Sequence, residues 1–167
     1  IANRVSYHYD LDGPSMAVDT MCSSSLSALH YACRAIWAGD CVSALVGATN
    51  LSLHPAKYQA LSRAHFLSSD GRCRAFGAGG DGYVPGEGIG ALFIKPLRAA
   101  LADGDHIYGQ VRAVTVNHGG KTNGPSVPNP RAQADVVRRA WREAGISARD
   151  IGYVEAHGTG TSLGDPI

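Results

Sequence analysis

Two short stretches carry side chains able to do covalent chemistry. Asp19-Thr20-Met21-Cys22-Ser23-Ser24-Ser25 holds a thiol, and Glu155-Ala156-His157-Gly158-Thr159-Gly160-Thr161 holds an imidazole among glycines. A thiolate is both a good nucleophile and a good leaving group, which suits passage of an acyl group from one thioester to another. After Cys22, apolar residues recur at Leu26, Leu29, Cys33, Ile36 and Trp37, the three-and-four spacing of one helix face, and Gly39 supplies a stop. Cys22 is therefore expected at a helix N-terminus, where unpaired backbone N–H groups and the positive end of the dipole favour a thiolate. The same N–H groups can stabilise the oxyanion formed when a thioester carbonyl is attacked. The competing reading is a helix cysteine that packs as a small apolar side chain, the commoner fate of free cysteine. A His followed by Gly-x-Gly is also more often a structural turn than a catalyst.

The elements needed to position such groups read as an α/β pattern. Asp12-Gly13-Pro14 is a turn, Ser15 to Val18 a short strand leading to Cys22, and Cys41 to Leu53 a buried strand after the helix. Strand, helix and strand in that order predict a βαβ unit with a parallel pair. Pro55 to Ser69 is open between a helix and an ordered loop. From Gly71 to Gly90 glycine dominates, yet Phe76, Tyr83, Val84 and Glu87 are interleaved, which favours a tightly packed loop over a flexible linker. Ala91 to Lys95 reads as a strand, Pro96 to Asp103 as a short helix, and Ile107 to Val116 as a further strand. Pro125, Pro128 and Pro130 make the next connection stiff, and a helix runs from Asn129-Pro130 to Gly145 with Ala134, Val137, Ala140, Trp141 and Ala144 on one face. Its Arg138, Arg139 and Arg142 read as a solvated face. Ile151 to Glu155 is the last expected strand and delivers His157 into a loop at its carboxyl end, where ligands of parallel sheets are bound.

Bulk properties exclude several classes. With 167 residues, 44% apolar and 17% charged, the chain suits one globular domain or a large piece of one. Fifteen basic against fourteen acidic residues give a net charge of +1, so nothing points to nucleic acid or an anionic membrane. Neither a bilayer-spanning apolar run nor a signal-peptide layout is visible, and a cytoplasmic setting is expected. Cys22, Cys33, Cys41 and Cys73 lack zinc-ligand spacing, so no metal is expected. Gly86-Glu87-Gly88-Ile89-Gly90-Ala91 and Gly120-Lys121-Thr122 superficially suggest nucleotide loops, but the first lacks the preceding strand and the second has Thr115 where glycine is required. The chain begins at Ile1 without Met and stops at Asp165-Pro166-Ile167 just after a glycine-rich motif, which reads as a fragment.

Val18-Asp19-Thr20-Met21-Cys22-Ser23-Ser24-Ser25 together with Glu155-Ala156-His157-Gly158-Thr159-Gly160-Thr161 closely resembles the ketosynthase domains of modular polyketide synthases. Asp70-Gly71-Arg72-Cys73-Arg74-Ala75-Phe76 and Gly80-Asp81-Gly82-Tyr83-Val84-Pro85-Gly86-Glu87-Gly88 match the same family, so the resemblance spans essentially the whole chain. Phe76-Gly77-Ala78-Gly79-Gly80-Asp81 and Asn117-His118-Gly119-Gly120-Lys121-Thr122-Asn123-Gly124 resemble the subgroup whose acyltransferase acts in trans.

The resemblance implies an α/β thiolase-like fold of five layers (αβαβα), here a partial domain. Residues 1–106 would be the later part of the N-terminal half and 107–167 the start of the C-terminal half. It implies a homodimer in which Met16 to Val18 lie at the dimer contact. The implied reaction is decarboxylative Claisen condensation of a Cys-bound acyl chain with a malonyl extender on acyl carrier protein. Cys22 would be the nucleophile and its backbone N–H half of the oxyanion hole. His157 would be one of two histidines that promote decarboxylation and stabilise the enolate. Thr159 and Thr161 would bind the phosphopantetheine arm that the carrier protein supplies, no other cofactor being held directly. The second histidine, a lysine and a glycine-rich loop of the family would lie beyond Ile167, so the isolated chain is expected to be inactive; His118 belongs to a different motif and does not replace them. Met21 stands where a smaller residue is usual and is a candidate for shaping the acyl pocket. A non-elongating, transacylating ketosynthase and a fatty-acid or polyunsaturated-lipid ketosynthase are the alternatives. An unrelated cysteine hydrolase is disfavoured, because no G-x-C-x-G elbow surrounds Cys22.

Overall fold

The apolar spacing after Cys22 does become a helix, and its ends are decided by two residues with positive φ. A computed structural model describes residues 1–124 and 126–167. In it Met21–Ser23 forms a single 3₁₀ turn and Ser24–Ala38 a 15-residue α-helix, here α2. Gly39 closes α2 in the left-handed conformation (φ 83°); its own N–H donates to the Ile36 carbonyl and that of Asp40 to the Ala35 carbonyl. Of the predicted apolar face Cys33 is buried and Leu29 and Ile36 are half-buried, whereas Leu26 and Trp37 are exposed. The inward stripe is therefore narrower than the spacing implied.

The chain forms two compact units, Ile1–Thr49 with Ile89–Val116, and Asn50–Gly88 with Asn117–Ile167. The first contains α1 (Ala2–His8), α2, strands β1 (Ala44–Asn50) and β2 (Gly88–Ile94), and α4 (Leu97–Ala102). β1 and β2 pair as a two-stranded sheet. Within this unit the His30 ring, through Nδ1, lies 2.7 Å from the Val114 carbonyl and ties α2 to the 107–116 segment. Pro96 precedes α4 as its cap, and Gly104 (φ 70°) makes the expected turn after it. Lys95 is gripped by Asp103 and Asp105 on the far side of that turn, and these two carboxylates raise its pKa.

The second unit contains α3 (Ala56–Arg63) and α5 (Pro130–Ala144). The stretch from Pro55 to Ser69, open between helix and loop on sequence grounds, is thus mainly helical. Asn129 caps α5 by accepting from the Arg131 and Ala132 N–H groups at 3.1 and 3.3 Å, Pro130 takes the first helical position, and Gly145 ends the helix with φ 65°. Ala144 is its buried residue; Val136, Ala140 and Trp141 are half-buried, and Val137 is exposed, so the inner stripe passes through Val136 instead. A capping box at Ser147 and Asp150 shapes the 3₁₀ turn Ala148–Asp150 that follows. The proline-stiffened connection before α5 was expected to include Pro125, which lies outside the described residues.

Three segments expected as strands, Ser15 to Val18, Ile107 to Val116 and Ile151 to Glu155, are not strands among the described residues, where the sheet consists of β1 and β2, and the predicted βαβ unit is not formed there. A strand is a property of two chains in register, whereas apolar patterning reports only that a segment has a face to cover. The segment around β1 is likewise less buried than expected, with Val46 its one buried residue.

Candidate active site

Cys22 is exposed in the 3₁₀ turn that opens α2, two residues before the helix proper rather than inside its first turn. Met21, immediately before it, has φ 57°. A left-handed conformation costs a residue with a side chain roughly 1–2 kcal/mol, so the surroundings must hold it. They do so from both sides. The Met21 N–H donates to Asp19 Oδ1 at 3.0 Å, and the Met21 carbonyl accepts from Ser24 Oγ at 2.6 Å. Ser24 Oγ also accepts from the Thr20 N–H at 2.9 Å. Thr20 Oγ1 lies 2.9 Å from both Ser23 Oγ and Ser27 Oγ. Every hydroxyl of Thr20-Met21-Cys22-Ser23-Ser24 is thus used to fasten the turn, leaving the thiol as its outward chemical group. The Met21 side chain is 82% exposed.

His157, in the second unit, is exposed at the head of a loop with left-handed glycines at Gly158 (φ 54°) and Gly160 (φ 65°). The two glycines answer both conformation and room. A Cβ on Gly158 would sit 3.3 Å from Ala75 Cβ and 3.4 Å from the Phe76 ring, and one on Gly160 would sit 3.0 Å from the Arg74 nitrogen. Between and beyond them Thr159 and Thr161 place their Oγ1 atoms 3.1 Å apart, and Thr161 Oγ1 accepts from the Gly164 N–H at 3.1 Å.

The loop rests on the glycine-rich segment, which is packed as expected. Leu67 and Tyr83 form a parallel bridge, with Tyr83 N–H donating to the Phe66 carbonyl at 2.9 Å and Ser68 N–H to the Tyr83 carbonyl at 3.0 Å. A Cβ on Gly82 would collide with the Leu67 backbone, and one on Gly80 with the Gly160 carbonyl. Arg74 holds Asp70 through two bonds of 3.0 and 2.6 Å, and this guanidinium, helped by the Ser68 hydroxyl, keeps the Asp70 carboxyl well below the usual carboxylate range. Asp81 is lowered as well, by hydrogen bonds from Ser69. Cys73 is exposed, and its thiol contacts the Gly158 carbonyl at 3.6 Å.

One residue that patterning overlooked is central to this arrangement. Asp165 accepts the Phe76 N–H at 2.7 Å and the Gly160 N–H at 3.1 Å to each carboxylate oxygen, joining the His157 loop to the 74–77 segment. Its position just after the glycine-rich motif was the one available signal. Phe76, held this way, takes φ 56°. Among the described residues no group of three or more His, Cys, Asp or Glu is arranged to hold a metal ion, and no helix is long and apolar enough to cross a membrane.

The thiol thus sits on a strained helix-entry turn in the first unit, and the imidazole heads a Gly-x-Gly loop in the second. Residues 1–100 match the family described as beta-ketoacyl synthase, N-terminal domain, and residues 108–167 match beta-ketoacyl synthase, C-terminal domain. The chain belongs to the beta-ketoacyl synthase family, and the expected likeness to polyketide-synthase ketosynthases is met. It is 61% identical over 167 residues to polyketide synthase PksL of Bacillus subtilis (strain 168), covering all of this chain and 4% of that protein. It is 64% identical to polyketide synthase ThaG of Burkholderia thailandensis, covering 3% of it. Among solved structures, the oxazolomycin ketosynthase domain OzmH KS7 of Streptomyces albus JA3453 superposes with a TM-score of 0.96 at 62% identity, over 99% of this chain and 29% of that one. The ketosynthase from module 6 of the bacillaene synthase of Bacillus subtilis 168 also gives 0.96, at 46% identity, over 99% and 30%. The chain therefore carries part of a thiolase-like fold and spans under a third of the solved domains it resembles.

Proposed function

We propose that the chain is the central part of an elongating ketosynthase domain in a modular polyketide synthase whose acyltransferase acts in trans, with residues 1–106 and 107–167 contributing to its two halves. The observation that carries this reading is the exposed Cys22 on its fastened turn at the start of α2, within a chain of this family. The subgroup is supported by Phe76-Gly77-Ala78-Gly79-Gly80-Asp81 and by the Asn117 to Gly124 loop. In the reaction, the Cys22 thiolate attacks an acyl thioester carried by acyl carrier protein, and the pantetheine thiolate leaves. The Cys22 N–H meets the oxyanion. A malonyl thioester then loses carbon dioxide, His157 donates a hydrogen bond to the enolate oxygen, and the enolate carbon attacks the Cys22-bound acyl group, returning the thiolate.

Thr159 and Thr161 are suited to a pantetheine arm by their proton count. Two hydroxyls offer two protons; one is shared between them, and the Gly164 N–H occupies one lone pair of Thr161, so a donor and further acceptors remain for a ligand. No cofactor beyond that arm is required by these steps. The protein works in the cytoplasm as a homodimer, a reading supported by the exposed apolar cluster of Met16, Tyr31 and Trp37 in the first unit. The test is acyl loading of the full-length protein followed by intact-protein mass spectrometry. Cys22→Ala abolishes the acyl adduct; an adduct that persists overturns the assignment. Met21→Ala, which removes an 82% exposed thioether beside the nucleophile, alters the relative loading rates of short and branched acyl thioesters. Unaltered preferences dismiss a role in the acyl pocket.

A further inference from the structure

Ser27 lies on α2 outside the residues that resembled a motif, and among the described residues it is the one buried polar residue, 7% exposed. Its Oγ is 2.9 Å from Thr20 Oγ1, which is itself 2.9 Å from Ser23 Oγ. The Ser23 hydroxyl donates to the Thr20 carbonyl at 2.9 Å. A hydroxyl carries one proton, so these contacts can be given direction. The Ser23 proton is taken by the Thr20 carbonyl; the Thr20 proton must then go to Ser23 Oγ, and Ser27 must donate to Thr20 Oγ1. The chain runs one way, from Ser27 through Thr20 and Ser23 to the Thr20 carbonyl, and each bond polarises the next. A helical serine commonly returns its proton to the carbonyl one turn back. Here it is sent instead to a residue outside the helix, on the turn that carries the nucleophile.

We propose that Ser27 is a positioning residue for Cys22: its buried hydroxyl, acting through Thr20, holds the turn in which left-handed Met21 presents the thiol. What the thiol does once presented rests on the ketosynthase reading, whereas its presentation can be measured without any condensation. The full-length protein is compared with Ser27→Ala and Ser27→Thr, the latter keeping the hydroxyl. Two rates are followed at fixed pH by mass spectrometry of the Cys22 peptide: alkylation by iodoacetamide, and loading from an acyl-pantetheine thioester. Ser27→Ala slows loading roughly tenfold and alkylation about fivefold, the worth of one hydrogen bond, with a melting temperature close to that of the unaltered protein. Ser27→Thr restores both rates to within about twofold. If Ser27→Ala fails to fold, Ser27→Cys, nearly isosteric and a weak donor, takes its place with the same expected slowing. Alkylation unchanged by loss of the hydroxyl, or equally slow in Ser27→Thr, overturns the proposal. An unaltered protein that alkylates at Cys22 but never loads there defeats the ketosynthase reading instead, and leaves the alkylation comparison valid.

Discussion

Cys22 faces solvent because its neighbours surrender their polar groups to one another. Asp19, Thr20, Ser23 and Ser24 all bond within the turn, and Met21 accepts a left-handed backbone between them. Cys33, one face round the same helix, shows the other fate of a thiol: it is buried, and burial pushes its pKa up, away from reactivity. Asp165 has the corresponding role for His157, since its carboxylate gathers the Gly160 and Phe76 N–H groups. Asp165→Asn keeps the shape but replaces a charged acceptor with a neutral one, and one of its two head atoms becomes a donor facing N–H groups. Removing charge-assisted bonds of this kind costs about 1–3 kcal/mol, or roughly ten- to a hundredfold in rate. The expected outcome in the full-length enzyme is a loss of that order in malonyl decarboxylation, with loading of Cys22 spared because Asp165 bonds only to the His157 side. Equal losses in both steps argue against a role confined to that loop.

The element that bears most of this geometry is the stretch from Phe66 to Tyr83, a loop by pattern and a tightly bonded platform by structure. Its glycines at 80 and 82 admit backbone where a methyl group would collide, and its Asp70–Arg74 pair braces the turn between them and α3. Because the Asp70 pKa is lowered by Arg74, the sign of its linkage to stability is set. The pair's contribution is present above the unfolded carboxylate value of about 3.9 and is lost as pH falls toward the folded value. Arg74→Gln returns Asp70 toward ordinary titration, so the variant is less stable at pH 7 and its stability declines less steeply between pH 5 and pH 2. Thermal melts across that range measure both effects, and an unchanged slope shows that the pair is not felt in folding. Glycine density alone was equally compatible with a flexible linker, and the interleaved Phe76, Tyr83, Val84 and Glu87 were the legible clue to packing. The bridge from Leu67 to Tyr83 and the clamp from Asp165 were not legible, because their partners are backbone N–H and C=O groups common to every residue type.

In the whole molecule, the first unit carries Cys22 and the second the His157 loop, and each leaves large apolar side chains exposed, among them Leu26, Leu53, Phe93 and Tyr153. Exposed apolar area on this scale is surface whose burial against other protein would be favourable. Met16, Tyr31 and Trp37, at 54%, 51% and 54% exposure, cluster beside Pro14 and Arg34 in the first unit. Met16→Asp would place a carboxylate in the proposed contact between two copies, where an unpaired charge is costly. If the proposed homodimer forms through this cluster, sedimentation of the full-length protein shows a shift toward monomer in this variant, and an unchanged oligomer places the contact elsewhere.

The extents of α2 and α5, with the Gly39, Asn129 and Gly145 positions that end or begin them, were readable from the chain, because helix periodicity and capping residues are local properties. Strand pairing was not, since Ser15 to Val18, Ile107 to Val116 and Ile151 to Glu155 have a strand's composition and are not strands among the described residues. Nor were the inward turn of Val136, the left-handed backbone at Met21, the buried hydroxyl of Ser27 or the carboxylate clamp of Asp165. These depend on which groups meet across loops and turns, a matter of three-dimensional proximity that no single residue's chemistry encodes.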